Sequence, residues 1–315
     1  MLIIAGKILD LILLPFVVFS AFLLKFLRKI GLHKFKYSRR ILLNIGVLPI
    51  IDHYYDPFLH KKDLKKPLEQ ARDLPAINFN VDEQLKLLNS FNYSQEFKNV
   101  PTNYENELTF HFKNGSFCSG DAEYWYNIIR HKKPNKIIEI GSGHSTKMAR
   151  KAILKNQQEN PNYTCLHTCI EPYEMPWLEK LGIKIIRDKV ENININFFKA
   201  LDKNDILFID SSHIIKPQGD VLYEFLEILP ILNKGVIVHV HDIFTPRDYL
   251  DEWVFKEYKL WNEQYLLEAF LCNNESWRII GAVNFLKNNY FDEILLKCPR
   301  LTKDREPGSF YIVKN

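Results

Sequence analysis

Glycine is scarce in this chain, with 12 residues in 315, and the 15 prolines are too few for a linker-rich or collagen-like protein. Cysteine is scarcer still. Five thiols (Cys118, Cys165, Cys169, Cys272, Cys298) do not make a disulfide framework at this length, and an odd number leaves one unpaired, so a reducing compartment fits best. Internal repeats and low-complexity tracts are missing, which excludes solenoids and arrays. What is present is 46% hydrophobic and 25% charged residues, the balance of a chain that folds around a core, with length enough for a catalytic domain plus an appended segment.

The net charge of +4 is small, but it is unevenly placed. Residues 1–40 carry eight basic side chains against the single acid Asp10, a net +7, leaving −3 for the rest. A slightly acidic body argues against nucleic-acid binding and makes the basic arm the feature to explain. Within it, Ile8 to Leu24 is apolar all round apart from Ser20, with Asp10 near its start and Pro15 inside. Seventeen helical residues span about 25 Å, a little short of a hydrocarbon core of about 30 Å, so crossing requires Phe26 and Leu27 beyond a snorkelling Lys25. The basic sequence that follows, without a convincing small-residue cleavage site, speaks against a signal peptide and places the rest on the cytoplasmic face. A buried N-terminal core helix is the alternative. The expected division is a membrane-attaching arm over 1–40, an N-terminal extension folded onto the core over 41–116, and a catalytic domain over 117–315.

The extension shows no clean period apart from a helical pattern over Val81 to Phe91. From Ala122 the pattern becomes regular: a helix-like AEYWYNIIRHK, the short apolar run KIIEI at 136–140, a glycine turn and a second helix-like stretch. Apolar runs then recur at CLHTCIE, IKII, DILFID and VIVHVH, each separated by a helix-length segment, which implies a parallel sheet covered on both faces. The last two candidate strands, 276–283 and 309–314, have no convincing crossover helix between them and are expected to close the sheet as an antiparallel pair.

The turn IIEIGSGHST, Ile137 to Thr146, removes side chains at Gly141 and Gly143 where a buried strand gives way to a helix starting near Ser145, letting a ligand approach the main chain. It lacks the third glycine of the dinucleotide fingerprint and the GK[ST] ending of a phosphate loop. The next strand ends in Glu171, placed to accept from ribose hydroxyls. A second constellation gathers Asp210 and His213 (FIDSSH) with His239, His241 and Asp242 (HVHD) at two neighbouring strand ends. The alternation of Cys165, His167 and Cys169 puts three donors on one strand face, where packing is favoured over zinc because no further ligand pair stands nearby.

In this order, EIGSG, IEP, FIDSSH and HVHD resemble the class I S-adenosylmethionine-dependent methyltransferases, more narrowly a bacterial group whose fourth strand ends in FID with a nearby histidine, over roughly Phe117 to the C-terminus. The resemblance implies an open, mostly parallel Rossmann-like α/β sheet. It also implies that Gly141, Ser142 and Gly143, with Ser145 at the helix start, pass beneath the methionine part of the cofactor while Glu139 organises the loop. Glu171 then holds the ribose and Asp188 neighbours the adenine, although RDKVEN departs from the usual glycine-aspartate pairing. Asp121 either faces the cofactor's amino group or caps a helix. Metal-dependent O-methyltransferases place carboxylate and amide ligands at the two later strand ends. Here Asp210 and Asp242 match and His241 replaces an acid, which weakens the case for magnesium and leaves manganese open.

Two mechanisms stay open for the acceptor: a cation that lowers a hydroxyl pKa, or a histidine acting as general base, with Asp210, His213, His241 and Asp242 as the catalytic set. Arg247 and Asp248, in the following turn, are the substrate-side candidates. The reading is a membrane-attached methyltransferase acting on an oxygen of a carbohydrate or lipid-linked sugar. The alternatives are a metal-dependent hydrolase, which leaves EIGSG and Glu171 without a task, and an inactive methyltransferase-like scaffold.

Overall fold

A computed structural model describes residues 2–173 and 175–315, which fall into two compact units, 1–65 and 66–315. The first unit contains α1 (Leu2–Ile30) and α2 (Lys36–Ile45). The helix does not stop at Leu24: Gly6–Ile30 is one continuous segment with mean hydropathy 2.3 and none of its most apolar window buried, so at about 1.5 Å per residue it exceeds the ~30 Å of a hydrocarbon core. Arg28 pairs with Asp56, whose carboxylate also accepts from the Ile51 N–H at 3.2 Å, folding the chain back after α2. The unit boundary at residue 65 differs from the expected divisions at 40 and 116. Helix α2 runs across residue 40, and the apolar side chains of 66–116 enter the main core.

That core belongs to the second unit. Five parallel strands, β1 (Lys136–Ile140), β2 (Leu166–Ile170), β3 (Lys184–Ile186), β4 (Ile206–Ile209) and β5 (Ile237–Val240), are followed in the chain by β6 (Trp277–Ala282) and β7 (Phe310–Lys314). The order across the sheet is β3-β2-β1-β4-β5-β7-β6, with β7 antiparallel to both neighbours. This is the expected Rossmann-like sheet with its antiparallel C-terminal pair. Side chains alternate: Ile137, Ile206, Phe208 and Ile237 join one apolar cluster, while Ile138, Ile140, Leu207, Ile209 and Val238 join the other.

Helices α3 (Val81–Ser90), α4 (Asp121–Lys132) and α5 (His144–Glu159) contribute to the first cluster. Helix α4 is buried almost all round because residues 66–116 cover its outer face, with Phe91 against Tyr124 and Phe97 against Tyr126. On the other face a helix begins as α6 (Asp220–Tyr223), passes through a π turn at Glu224–Ile228 and ends as α7 (Leu229–Ile231). The short α8 (Asp251–Phe255) and α9 (Glu263–Leu271) follow β5. One expectation fails here. Among the described residues the β2–β3 segment holds one 3-10 turn and the β3–β4 segment two, with no α-helix in either, and two short helices, α10 (Val283–Asn289) and α11 (Phe291–Leu295), lie between β6 and β7. An antiparallel return needs no crossover, so these helices pack into the core through their own Leu286 and Ile294 without setting strand direction.

One buried cation ties the layers together. Arg130, 1% exposed, grips Glu96 through Nε (3.0 Å) and a terminal nitrogen (2.9 Å), reaches Glu159 at 2.5 Å and also bonds Asn156. It joins the segment before α4 to α4 and α5. Replacing it with leucine strands these acceptors, and the Arg130→Leu chain is expected to lose about 3 kcal/mol, read as a lower urea midpoint with secondary structure retained in buffer.

Candidate functional site

The parallel register brings the strand ends level. Ile140 pairs with Ile170 and with Ile209, and Ile209 with Val240. One more hydrogen bond extends each ladder: Gly141 N–H to Ile170 carbonyl (3.0 Å), Asp210 N–H to Ile140 carbonyl (2.9 Å), His241 N–H to Ile209 carbonyl (2.9 Å) and Glu171 N–H to Ile186 carbonyl (3.0 Å). Gly141, Glu171, Asp210 and His241 therefore line up along the carboxyl edge, where open α/β sheets bind ligands.

At the first of these ends the chain turns with Gly141 at φ +82°, and a Cβ there would lie 2.1 Å from the Asp210 carbonyl oxygen. Only glycine fits. Behind the turn, fully buried Glu139 accepts from Ser145 Oγ (3.1 Å) and Thr146 Oγ1 (2.8 Å) with one oxygen and meets His167 Nε2 at 2.6 Å with the other. Glu139 thus pins the start of α5 to β1 and β2. Trp125 adds a bond from Nε1 to the Ser145 carbonyl at 3.2 Å. Cys169 Sγ shares this pocket with Glu139 and His167, the three donor atoms lying within 4.8 Å, and the His167–Glu139 hydrogen bond occupies the pair.

Glu171 holds the front of the turn, accepting from the Ser142 N–H (3.0 Å) and from the Tyr173 N–H (3.0 Å). Two cavities flank Gly141 to Gly143. The first, about 250 Å³, is bounded by Gly141, Glu171, Tyr173, Lys189, Val190 and Asp210; the second, about 410 Å³, by Phe117, Ser142, Gly143, Lys147, Asp210 and His241. Asp210 borders both. Asp188 borders neither: it is exposed and accepts from the Lys189 N–H and from Asn192 Nδ2, closing its own turn, so the third strand's contribution to the first cavity comes from Lys189, Val190 and Glu191. Asp121 is neither a cap nor a cavity residue. Its Oδ1 accepts from the Gly308 and Ser309 N–H groups, both at 2.8 Å, and holds the approach to β7 against α4.

At the far end of the second cavity the acidic and imidazole groups converge. His241 Nδ1 lies 3.4 Å from carboxylate oxygens of both Asp210 and Asp242, and its Nε2 is 3.9 Å from Asp121. His213 Nε2 approaches Asp210 at 3.4 Å and Asp242 at 3.5 Å, while its Nδ1 is held by fully buried Glu263 at 2.8 Å. His213 and Asp242 both sit at left-handed φ, +60° and +59°, a conformation that costs a non-glycine residue on the order of 1 kcal/mol and that the surrounding contacts impose. Gly308 packs so tightly on Asp242 that a Cβ would come 2.9 Å from its Cα.

The electrostatics follow from this crowding. Burial works against a proton on His241, but Asp242 and Asp210 outweigh it and raise its pKa well above the ordinary value. Burial likewise opposes the His213 proton, and its bonds to Asp210 and Glu263 reverse the balance upward. Burial pushes the Asp210 carboxyl up, yet the His241 charge and the His213 bond carry it below the usual carboxylate range; for Asp242 and Glu263 burial wins and both are raised. The centre calls for positive charge. One ligand atom each from Asp210, His241 and Asp242 lie within 4.8 Å of one another, and neither His241 nitrogen has a hydrogen-bond partner among the described residues, so the donor set fits a divalent cation that tolerates imidazole.

His239, two residues earlier, is a different case. It is fully buried, stacked 4.1 Å from Tyr311 and ringed by Phe208 and Trp125, and burial holds it neutral. Arg247 and Asp248 are not brought to either cavity. Asp248 is engaged by Arg72 Nε at 3.2 Å and Tyr265 Oη at 3.0 Å, and Arg247 lies 3.9 Å from Glu306. Trp261 stands nearer the cluster, its ring 4.3 Å from that of His213, with Lys259 over both Trp261 and Trp253. Sequence reading missed the Lys147–Trp177 pair (4.2 Å) on the second cavity, since only the fold brings these two together, and passed over His144 inside the glycine motif itself.

Residues 138–243 match a family model described as a methyltransferase domain (Methyltransf_24). An uncharacterized protein of Archaeoglobus fulgidus is 28% identical over 168 residues, covering 49% of this chain and 74% of the relative. Among solved structures, the O-methyltransferase TomG of Streptomyces achromogenes in complex with S-adenosylmethionine covers 78% of this chain and 92% of its own at 10% identity and a TM-score of 0.38. A structure described as cmcI-D160 with magnesium and S-adenosylmethionine covers 89% and 99% at 14% identity and a TM-score of 0.38. The matched segment runs from β1 to the turn after β5 and contains Gly141, Glu171, Asp210 and His241; over these residues the chain is similar to a methyltransferase domain, consistent with the class I, S-adenosylmethionine-dependent kind its motifs imply.

Two outcomes follow. His239→Phe removes two unpartnered nitrogens from an aromatic cage, so its stability should stay within about 1 kcal/mol of wild type or rise, with turnover unchanged. His144 has its pKa lowered to about 4 by burial, Lys147 and His111. Between the ordinary value of 6.5 and about 4 the unfolded chain binds more protons at this residue, so its contribution to stability is complete above pH 6.5 and is lost as pH falls through that window. Urea midpoints measured from pH 7 to pH 4 should therefore fall less steeply in His144→Gln than in wild type.

Proposed function

We propose that the protein moves a methyl group from S-adenosylmethionine to an oxygen of a sugar or lipid-linked glycan precursor, at the cytoplasmic face of a membrane, with a divalent cation at Asp210, His241 and Asp242. The observation that carries the catalytic part is Asp210, which borders both cavities: one beside Glu171 suits a nucleoside, and the other runs from the glycine turn to the acidic centre. When bound, the cofactor supplies an electrophilic methyl group and the cation lowers the acceptor hydroxyl's pKa.

The chain's own residues do the rest. The Gly141–Gly143 backbone gives close approach, with Glu139 fixing the loop from behind and Glu171 from the front. Glu171 Oε1 and Oε2 each take one backbone N–H, and a carboxylate has further lone pairs for two ribose hydroxyls. Glu263 fixes the His213 ring so that Nε2 faces Asp210 and Asp242, where a proton leaving the acceptor can be held. Phe117 beside His241 and Trp261 beside His213 exclude water from the two imidazoles and concentrate catalysis into positioning.

The acceptor and the location rest on other features. The half-buried Trp253 and Trp261 rings near the centre suit stacking on a sugar. The exposed apolar helix α1, ending in basic residues and followed by more on α2, suits a bilayer with the body on its positively flanked side.

Calorimetry tests the cofactor: wild type should bind S-adenosylmethionine, Gly141→Ala should lose at least tenfold in affinity because its Cβ meets the Asp210 backbone, and His241→Ala should bind but not turn over. No binding by wild type defeats the proposal. Transfer of labelled methyl to an extracted glycolipid fraction, abolished by a chelator and restored by manganese, is the expected acceptor result; undiminished transfer under chelation removes the cation. Deleting residues 1–65 should move the protein from the membrane to the supernatant.

A further inference from the structure

A second polar cavity opens at the opposite, amino edge of the sheet, away from the methyl-transfer centre. It measures about 490 Å³ and lies among α3, the end of α4, the turns before β4 and β5, the edge strand β6 and its neighbour β7. Its floor is apolar, made by Leu87, Ile237, Ile280 and Val313. Its ionisable lining is Lys86, Lys132, Lys203, Arg278, His131 and a single carboxylate, Glu83. Glu83 is 3.3 Å from Arg278 and exposed, so one acid faces four cations.

Three of those cations crowd one another. Burial lowers the pKa of the Lys132 ammonium, and the charges of Arg278 and Lys203 lower it further. His131 is depressed by burial and then by Lys132. The Lys203 stem is held against the backbone at Gly235, where a Cβ would stand 2.7 Å from its Cγ, so glycine there is what lets the lysine lie over the cavity. Like charges gathered around an apolar floor without a matching set of acids are stabilised by an anion brought from outside.

We propose that this cavity binds an organic phosphate, its dianion set among Lys132, Lys203 and Arg278 and its apolar portion on Leu87, Ile280 and Val313. The chemistry is that of a phosphomonoester on an apolar body, which can come from a phospholipid headgroup or from a soluble phosphorylated metabolite. The site is separate from methyl transfer and stands or falls without it.

The test uses the full chain in a nonionic detergent, titrated with dihexanoyl phosphatidic acid and with glycerol 3-phosphate by calorimetry, alongside the NMR titration of labelled His131. Wild type should bind at least one probe, with the His131 pKa rising as the dianion arrives. Lys132→Gln/Lys203→Gln should lose at least tenfold in affinity, Glu83→Gln should gain a few-fold, and neither should change S-adenosylmethionine binding. If the double variant does not fold, Lys203→Gln alone, at an exposed residue, and Glu83→Gln carry the same comparison. Tighter binding of the lipid analogue assigns the membrane as the source, and equal binding assigns a soluble phosphate; either supports the site. Binding of neither probe, or affinity unchanged in the lysine variants, overturns it.

Discussion

The level alignment of four parallel strand ends is the constraint on which the site depends. The Asp210 N–H to Ile140 carbonyl and His241 N–H to Ile209 carbonyl bonds fix Gly141, Asp210 and His241 on one line. A slip of one residue in β4 would turn Asp210 toward the opposite apolar cluster and bring Ile209 to the edge. The Gly141 turn reinforces the register sterically, because the Asp210 carbonyl fills the space a side chain would need. The functional groups are thus set by backbone pairing, and their side chains add charge and shape to positions already fixed.

Much of this was legible from residue order. Short apolar runs bounded by helix-like stretches marked β1, β2, β4 and β5, because strands covered on both faces must be apolar on both. Glycine beside a strand end located the turn, and an acid one strand later located Glu171. The sequence was less informative where function depends on tertiary proximity. Asp188 looked like a cavity residue by its place after β3, yet local hydrogen bonds to Lys189 and Asn192 turn its carboxylate onto its own loop. Asp248 looked available until Arg72, 176 positions away, claimed it. His239 and His241 share a strand face and are chemically the same, but the aromatic cage at one and the carboxylates at the other give them opposite protonation tendencies. No pattern in one dimension separates them.

The chain's bland net charge conceals three separate electrostatic districts. The arm is basic, the carboxyl edge of the sheet is acidic with imidazole among the acids, and the amino edge gathers lysines and an arginine. Each district is local, since exposed charges separated by more than about 8 Å are largely screened at physiological salt. Averages over the whole chain therefore say little about what any one surface recognises.

The position of β7 adds a consequence for biosynthesis. It is the final strand in chain order, yet it lies between β5 and β6, and its approach at Gly308 presses against Asp242 while Asp121 grips the same loop. During translation β5 and β6 emerge with an empty lane between them, and two unpaired strand edges wait for β7. The acidic centre is consequently assembled last. A nascent chain holds its helical arm and most of its sheet before it can hold the geometry for chemistry.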